Sequence, residues 1–509
     1  MFRKLIELIT EALRNLVKYK TVQDTVDGDS VYNISDRMQD AIDKWKSMYK
    51  DEAPWLNDDT GIYSLGIPKL ICSSLAAQVL SEMKLVINIP GVDSTDEELD
   101  INTRAGYLEH TLKKHFMEHL SIQLEKGMAL GGVLFKPYTV NDHIYIDFNY
   151  QGQFYPLEFD DDGNITDIAF LDQFVSEGKR YSKIERQTFN RFEKTVMVQN
   201  KAYVSQEKAD SEQQDLGTEV ELTQISRWKD IEPEITIENV EKPLFGFYKV
   251  PLANNIDLDC PIGISIFSPA TTLIERVDRQ FSRLDWEYEG GQLAINVDPT
   301  AIHPASGYYG TTEFNQDTCA DRLYKALDLG QDDTYHEFAP GLRDANYING
   351  LNTYLCRIED ICGLARGTLS NPESEARTAT EVKILKQRTY TTINSNQQAL
   401  QKAIEDLTYA INVYATLYNL SSEGEYSVDI EWSDSILTDV DTELAQKLQL
   451  VEAGIISKAE LRSWYTAEDL ETAKATIQEM KQEEMEGLDD IFTMGRNSNP
   501  TLESAGQEE

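Results

Sequence analysis

The chain has 509 residues and a formal net charge of −41. Such a surface repels nucleic acid over a Debye length of about 8 Å at physiological salt, which argues against a protein that grips DNA and is compatible with one that DNA must slide past. Hydrophobic residues at 41% and charged residues at 27% are ordinary for a globular chain of several domains or one large elaborated one, and no apolar run approaches the roughly 20 residues that span a bilayer.

Met1–Lys20 places Phe2, Leu5, Ile6, Ile9, Leu13, Leu16 and Val17 on one helical face, interrupted by Glu7 and Glu11. A signal peptide needs an unbroken apolar core, so an amphipathic helix in a cytosolic product is expected. Ser35 is placed to cap a helix over 35–50 with Met38, Ile42, Trp45 and Tyr49 on one face. Pro68 starts a second helix to about Met83, followed by a strand over 85–89. One long amphipathic helix is expected over 103–130, stopped by Gly131-Gly132. The chain then turns β-rich, at 133–140, 143–150 and 154–159 and on to about Val204, with a turn at Asp160–Asn164. The polar stretch 205–217 reads as a loop. Five cysteines (Cys72, Cys260, Cys319, Cys356 and Cys362) form no CxxC pair. They read as buried thiols in a reducing compartment rather than a disulfide framework or zinc site.

Loop punctuation at Asn254-Asn255 and Pro261–Gly263 precedes a helix over 269–289. Its apolar residues Ala270, Ile274, Val277, Phe281, Leu284 and Tyr288 are spaced 4, 3, 4, 3, 4, which is a heptad seam. Residues 292–342 are mixed, with a strand-like run at 293–297. A second seam, Ile348, Leu351, Leu355, Ile358 and Cys362, lies on a helix over 343–364. Two such helices around one insert make a helical hairpin with a small β-containing tip. A small-residue loop follows. Thr378 and Glu381 then form a capping box for a helix reaching about Tyr418, on the order of 60 Å long. Leu400, Ile404, Leu407, Ile411, Tyr414 and Tyr418 line one side of its second half, and the weak helix formers Asn394–Gln398 predict a kink. A strand at 426–432 and two or three short helices over Leu444–Met480 come next, and the acidic tail from about Glu483 reads as disordered.

Few residues suggest chemistry. His115, Glu118 and His119 match the H-x-x-E-H pattern, in which two histidines at i and i+4 ligate zinc beside a glutamate base. Three fixed positions are a weak signal in a long chain. Neighbouring Glu109, His110, Lys113 and Lys114 suggest a solvated face instead. There is no GxxxxGK[ST] and no GxGxxG, and Ser265 lacks the second glycine of a nucleophile elbow. Asp160–Asp162 does not have EF-hand spacing and fits a hairpin turn. Asp439 and Asp441 fit a helix N-terminus. No acid pair stands out as a catalytic dyad, so no active site, metal or cofactor is expected.

An ordered series of residues carries a resemblance. Phe245–Lys249 comes first, with Pro251 and Asn254-Asn255, then Gly263–Ile266 and the helix bearing Asp278 and Glu287. Gly363–Thr368, Thr378–Val382, Tyr390–Ile393 and Gln397-Gln398 follow. In this order and spacing, residues 243–435 resemble the portal proteins of tailed double-stranded DNA bacteriophages, in the branch infecting Gram-positive hosts. Phe154–Pro156, with Tyr181 near Glu185, adds a weaker likeness.

The resemblance implies an α+β portal-type fold: a mixed α/β wing, a two-helix stem, a small α/β clip, a long kinked tunnel and wing helix, and a helical crown. Carried onto this chain, residues 1–245 are the wing, 246–290 a linker and first stem helix, 291–342 the clip and 343–365 the second stem helix. Residues 366–377 are the tunnel loop, 378–437 the long wing helix and strand, 438–482 the crown, and 483–509 the tail. The tunnel loop then comprises Arg366, Gly367, Thr368, Leu369, Ser370, Asn371, Pro372, Glu373, Ser374, Glu375 and Arg377, beside Ala376. At Asn371–Glu375 relatives often have an aromatic residue and a further glycine. The acidic residues found here should repel phosphates, partly offset by Arg366 and Arg377.

The implied function is a ring at one capsid vertex of the virion, usually of twelve subunits, made in the host bacterial cytoplasm. A terminase motor drives double-stranded DNA through the ring without sequence specificity, and the DNA later leaves by the same channel. The implied partners are the terminase large subunit, the head–tail adaptor, and the major capsid and scaffolding proteins, with no membrane. The stem arginines Arg276, Arg279 and Arg283 either meet DNA or pair with acids of a neighbouring helix, and an acidic ring favours pairing. The rival readings are a zinc metallopeptidase at 115–119 and a helical scaffold or adaptor that conducts no DNA.

Overall fold

A computed structural model describes residues 34–56, 61–81, 83–90, 99–206, 216–258, 260–291, 294–297, 324–326, 335–338, 341–371, 379–432, 440–466, 468–478 and 480. The chain forms a mixed α+β structure of two compact units, Met1–Trp432 and Ser433–Glu509. The helix expected at the N-terminus, residues 207–215 of the polar loop, Cys319 and the tail lie outside the described residues.

The first described helix of the first unit is α1 (Asp36–Tyr49), whose cap is Ser35: its Oγ accepts from the Met38 amide at 3.4 Å. Met38, Ile42, Trp45 and Met48 are buried, while Tyr49 donates its hydroxyl to Glu125 at 2.6 Å. α2 (Ile67–Leu80) has Pro68 in its first turn, where no amide is needed. It leads into β1 (Met83–Asn88).

The single helix expected over 103–130 is not one helix. It is α3 (Arg104–Leu112), a π-helical turn (Lys113–Met117) and α4 (Glu118–Leu130). The cause is in the apolar spacing. Leu108, Leu112, Phe116, Leu120, Leu124 and Met128 recur every four residues, and all are at most 1% exposed. At 3.6 residues per turn such a stripe walks around the helix; one wide turn brings it back toward the core. Phe116 sits in that turn, packed edge-on to Phe135 and stacked on Phe148.

Gly131, at φ 91°, ends α4 as expected. β2 (Gly132–Val140) and β3 (His143–Tyr150) form a hairpin whose two turn residues, Asn141 and Asp142, both have positive φ, as a tight two-residue turn requires. A second sheet holds β4 (Phe154–Phe159), β5 (Ile165–Ser176), β6 (Lys179–Asn190), β7 (Thr195–Gln206) and β8 (Thr218–Val220), with β9 (Glu234–Glu238) also on β7. The turn between β4 and β5 is built by Asp160, whose Oδ1 accepts from the amides of Asp162 and Asn164. β10 (Gly246–Lys249) pairs with β2. The β character therefore extends past Val204, where the run of β-branched residues stops.

α5 (Thr271–Gly290) and α6 (Asp344–Cys362) pack together. Of the insert between them, three short strands are described: β11 (Ala294–Val297) lies between β12 (Tyr324–Ala326) and β13 (Tyr335–Phe338). α7 (Ala379–Leu417) has 39 residues, about 58 Å at 1.5 Å each. Leu400, Ala403, Ile404, Leu407 and Ile411 of α7 are fully buried in the main core with α1 to α4, β2 and β3. Helical structure runs unbroken through 394–398. The polar residues there serve tertiary contacts: Asn396 accepts from the Tyr248 hydroxyl at 2.6 Å, and Gln397 donates to the carbonyl of Val79. β14 (Ser427–Trp432) closes the unit by pairing antiparallel with β1. The second unit has α8 (Val440–Glu452) and α9 (Lys458–Thr466); Asp439 lies outside the described residues.

Candidate functional site

The α5–α6 pair and the turn that leaves α6 contain most of the described residues singled out from the sequence. The seam holds in part. Ile274, Val277 and Leu284 are buried on α5, as are Leu355, Ile358 and Cys362 on α6. Tyr288 is 41% exposed, and its turn of α5 instead buries Glu287. Glu287 closes the end of the pair from which the insert departs. Its Oε1 accepts from the amide and Nε of Arg343 at 3.1 and 3.0 Å, and Oε2 accepts from Nη2 at 2.7 Å. These hydrogen bonds hold the Glu287 carboxyl below its ordinary pKa. Two more polar residues of α5 face inward. Asp278 accepts from Trp55 and from the amide of Leu65, and Ser282 accepts from the amide of Tyr63.

The stem arginines are all exposed. Arg279 pairs with Glu275, one turn away on its own helix, at 2.9 Å. Arg276 and Arg283 make no ion pair with a described residue.

α6 ends at Gly363, whose φ of 72° places it in the left-handed region. The next residues fold back on the helix. Glu359 is fully buried. Its Oε1 accepts from the amides of Gly367, Leu369 and Ser370 at 3.1, 2.6 and 2.8 Å, and its Oε2 accepts from the Ser370 hydroxyl at 2.8 Å. Asn352, two turns earlier on the same face, accepts from the amide of Asn371 at 2.8 Å. Asp360 faces outward and bridges Arg366 and Arg388 of α7, each at 3.0 Å. Hydrogen bonding by Arg366 holds the Asp360 carboxyl below its ordinary pKa. Arg366 is thus already engaged in an ion pair within the chain.

Of the residues expected in the loop, Arg366, Gly367, Thr368, Leu369, Ser370 and Asn371 therefore lie in a turn held to α6. Pro372, Glu373, Ser374, Glu375, Arg377 and the cap residue Thr378 lie outside the described residues. Glu381 falls in α7, and no cap contact is described for it. The residues that hold the turn (Asn352, Glu359 and Asp360) were not singled out from the sequence. The one signal in the sequence was slight: Glu359 flanks the stripe formed by Leu355, Ile358 and Cys362, at the edge of the buried face.

At 115–119 the backbone departs from the α-helix that the zinc reading assumed: His115 lies inside the π-helical turn. Its ring packs against Tyr145 at 4.7 Å. Burial and nearby Lys114 hold its imidazole below its ordinary pKa. Among the described residues no group of three or more His, Cys, Asp or Glu is placed to hold a metal ion, and no helix is long and apolar enough to cross a membrane.

What the site offers is mechanical: two helices clamped at the insert end and a turn pinned at the other. Among curated proteins no match was found. A family model described as phage portal protein, SPP1 Gp6-like, matches residues 85–487. That span takes in both helices, the pinned turn, α7, α8 and α9, so the chain belongs to the SPP1 Gp6-like family of phage portal proteins, non-enzymatic structural proteins that form the DNA channel at a capsid vertex of the virion.

Proposed function

We propose that α5 and α6 are the paired stem helices of a portal ring, residues 291–342 the clip, and residues 366–377 the loop at the channel constriction. In this reading residues 1–245 form the wing, 378–437 the long wing helix and strand, 438–482 the crown and 483–509 a tail. The packing of α5 on α6, with Glu287 and Arg343 joined where the insert leaves, carries the assignment. A pair tied there presents the insert as one unit to whatever docks on it: the terminase large subunit during packaging and the head–tail adaptor afterwards. Major capsid and scaffolding proteins surround the ring. A head-to-tail interface closes into such a ring, usually of twelve subunits, when the rotation per subunit divides a full turn.

The channel is passive and the motor is a separate ATPase, which fits a chain without a phosphate-cradling loop. A net charge of −41 keeps the wall from holding phosphates, and the constriction loops act as a one-way valve. Electron microscopy of the full-length protein tests the assembly: closed rings of about twelve support it, and open or dimeric rods favour a scaffold that conducts no DNA. A single-turnover packaging assay with residues 368–376 deleted tests the valve, and unchanged DNA retention would sink it.

A further inference from the structure

We propose that Glu359 is the positioning residue of the constriction loop, pinning residues 367–370 to α6, while Asp360 beside it couples the same turn to α7. The proposal rests on the loop assignment made above. Both acids lie in the last turn of α6, where the helix macrodipole disfavours negative charge. Two adjacent carboxylates there need specific donors, and burying one of them needs more. The turn supplies them. Three amides and a hydroxyl converge on Glu359, and the Arg366 guanidinium donates to Asp360 through Nε and Nη2. Unfolding the turn would strand a buried carboxylate without partners, so helix end and turn stabilise each other.

Asp360 extends the coupling. Nη1 of Arg388 donates to its Oδ1 at 3.0 Å and to its backbone carbonyl at 3.3 Å. Nη2 of Arg366 holds Oδ2 at 3.0 Å. A displacement of α7 along α6 must therefore carry the turn with it or break this bridge. Gly363 reinforces the junction: a Cβ there would lie 2.1 Å from Oγ1 of Thr392 on α7. The base of the loop is thus set by the relative position of two long helices.

Hydrogen–deuterium exchange on the assembled full-length protein, paired with single-turnover packaging, tests this. In E359Q and S370A the amides of 367–370 should exchange roughly tenfold faster or more, as loss of charge-assisted hydrogen bonds implies, while α4 and α5 keep their protection. D360N should leave 369–370 protected and speed exchange around Arg388. Virions built with E359Q should retain less DNA than wild type, an effect that a purely structural pin would not produce. All three variants keep nearly the wild-type side-chain volume, so folding is expected to survive. Wild-type protection at 367–370 in both E359Q and S370A overturns the pin itself. Lost protection with wild-type packaging and retention overturns its role by removing the loop assignment beneath it.

Discussion

Nε1 of Trp55 donates to Oδ2 of Asp278 at 2.8 Å, and the Leu65 amide donates to the other carboxylate oxygen at 2.9 Å. One buried acid on α5 thus organises a segment more than 200 residues earlier in the chain. Asp278→Ala leaves both donors buried without an acceptor and should cost about 1–3 kcal/mol, measured by denaturant unfolding. The acid also makes stability depend on pH. Burial raises the Asp278 pKa above its ordinary value. Between the unfolded and folded values the native state holds the extra proton, so stability falls as pH rises through that interval and is level above it. Asp278→Asn lacks this slope, so wild type should lose stability relative to Asp278→Asn as pH rises from about 4.

Gly246 allows β10 to lie directly on α7. A Cβ there would sit 2.1 Å from the carbonyl oxygen of Ala403, and helix backbone cannot yield as a side chain can. Gly246→Ala should therefore destabilise by about 1–3 kcal/mol or more through overpacking. Gly152 is the control, with φ 92° and nothing within 4 Å of where a methyl group would sit. Gly152→Ala carries only the left-handed backbone penalty, about 1–2 kcal/mol. Thermal unfolding of both variants should show the larger loss at Gly246.

Elements set by neighbours along the chain were legible. Ser35 caps α1, Asp160 builds its turn, and the stripe from Leu400 to Ile411 is buried as its spacing requires. The misreadings come from side chains whose partners lie far away in sequence. Counting apolar periods treats every charge as outward, yet Asp278, Glu287 and Glu359 all point inward. Glu287 is matched by Arg343, 56 residues on. The polar centre of α7 is weak in local propensity, and what its side chains do is decided far off in sequence: Gln397 reaches Val79, 318 residues away. The π-helical turn was hidden because a spacing of four resembles a spacing of 3.6 over any two turns and departs from it only over five.

That turn separates packing from chemistry at 115–119. Phe116 is fully buried among Phe135 and Phe148, so Phe116→Ala should cost about 3–5 kcal/mol. His119 and Glu118 are exposed. His119→Ala and Glu118→Ala should each change stability by no more than about 0.5 kcal/mol. Chelator treatment should leave the melting temperature of the wild-type protein unchanged, and a zinc-dependent melting temperature would revive the metallopeptidase reading.

A buried ion cluster joins the two sheets. Oε2 of Glu185 on β6 accepts from Lys136 of β2 at 3.0 Å and Lys183 at 3.2 Å, and Gln187 donates to Oε1 at 2.9 Å. Burial pushes the Glu185 carboxyl up, but the two lysines outweigh it and hold it far below the ordinary carboxylate range. Glu185→Gln leaves two nine-tenths-buried ammonium groups without their counter-charge and should cost about 3–5 kcal/mol at neutral pH. An exposed pair such as Lys84 and Glu431, 4.0 Å apart, should be worth no more than about 1 kcal/mol. A depressed folded pKa contributes stability that is present above the unfolded value and lost as pH falls toward the folded one. The gap between wild type and Glu185→Gln should therefore stay constant from neutrality down to about pH 5 and narrow only below the ordinary glutamate value of about 4.3. Denaturant unfolding at three pH values measures it, and a gap that closes between pH 7 and 5 would show that the lysines do not hold the carboxylate ionised.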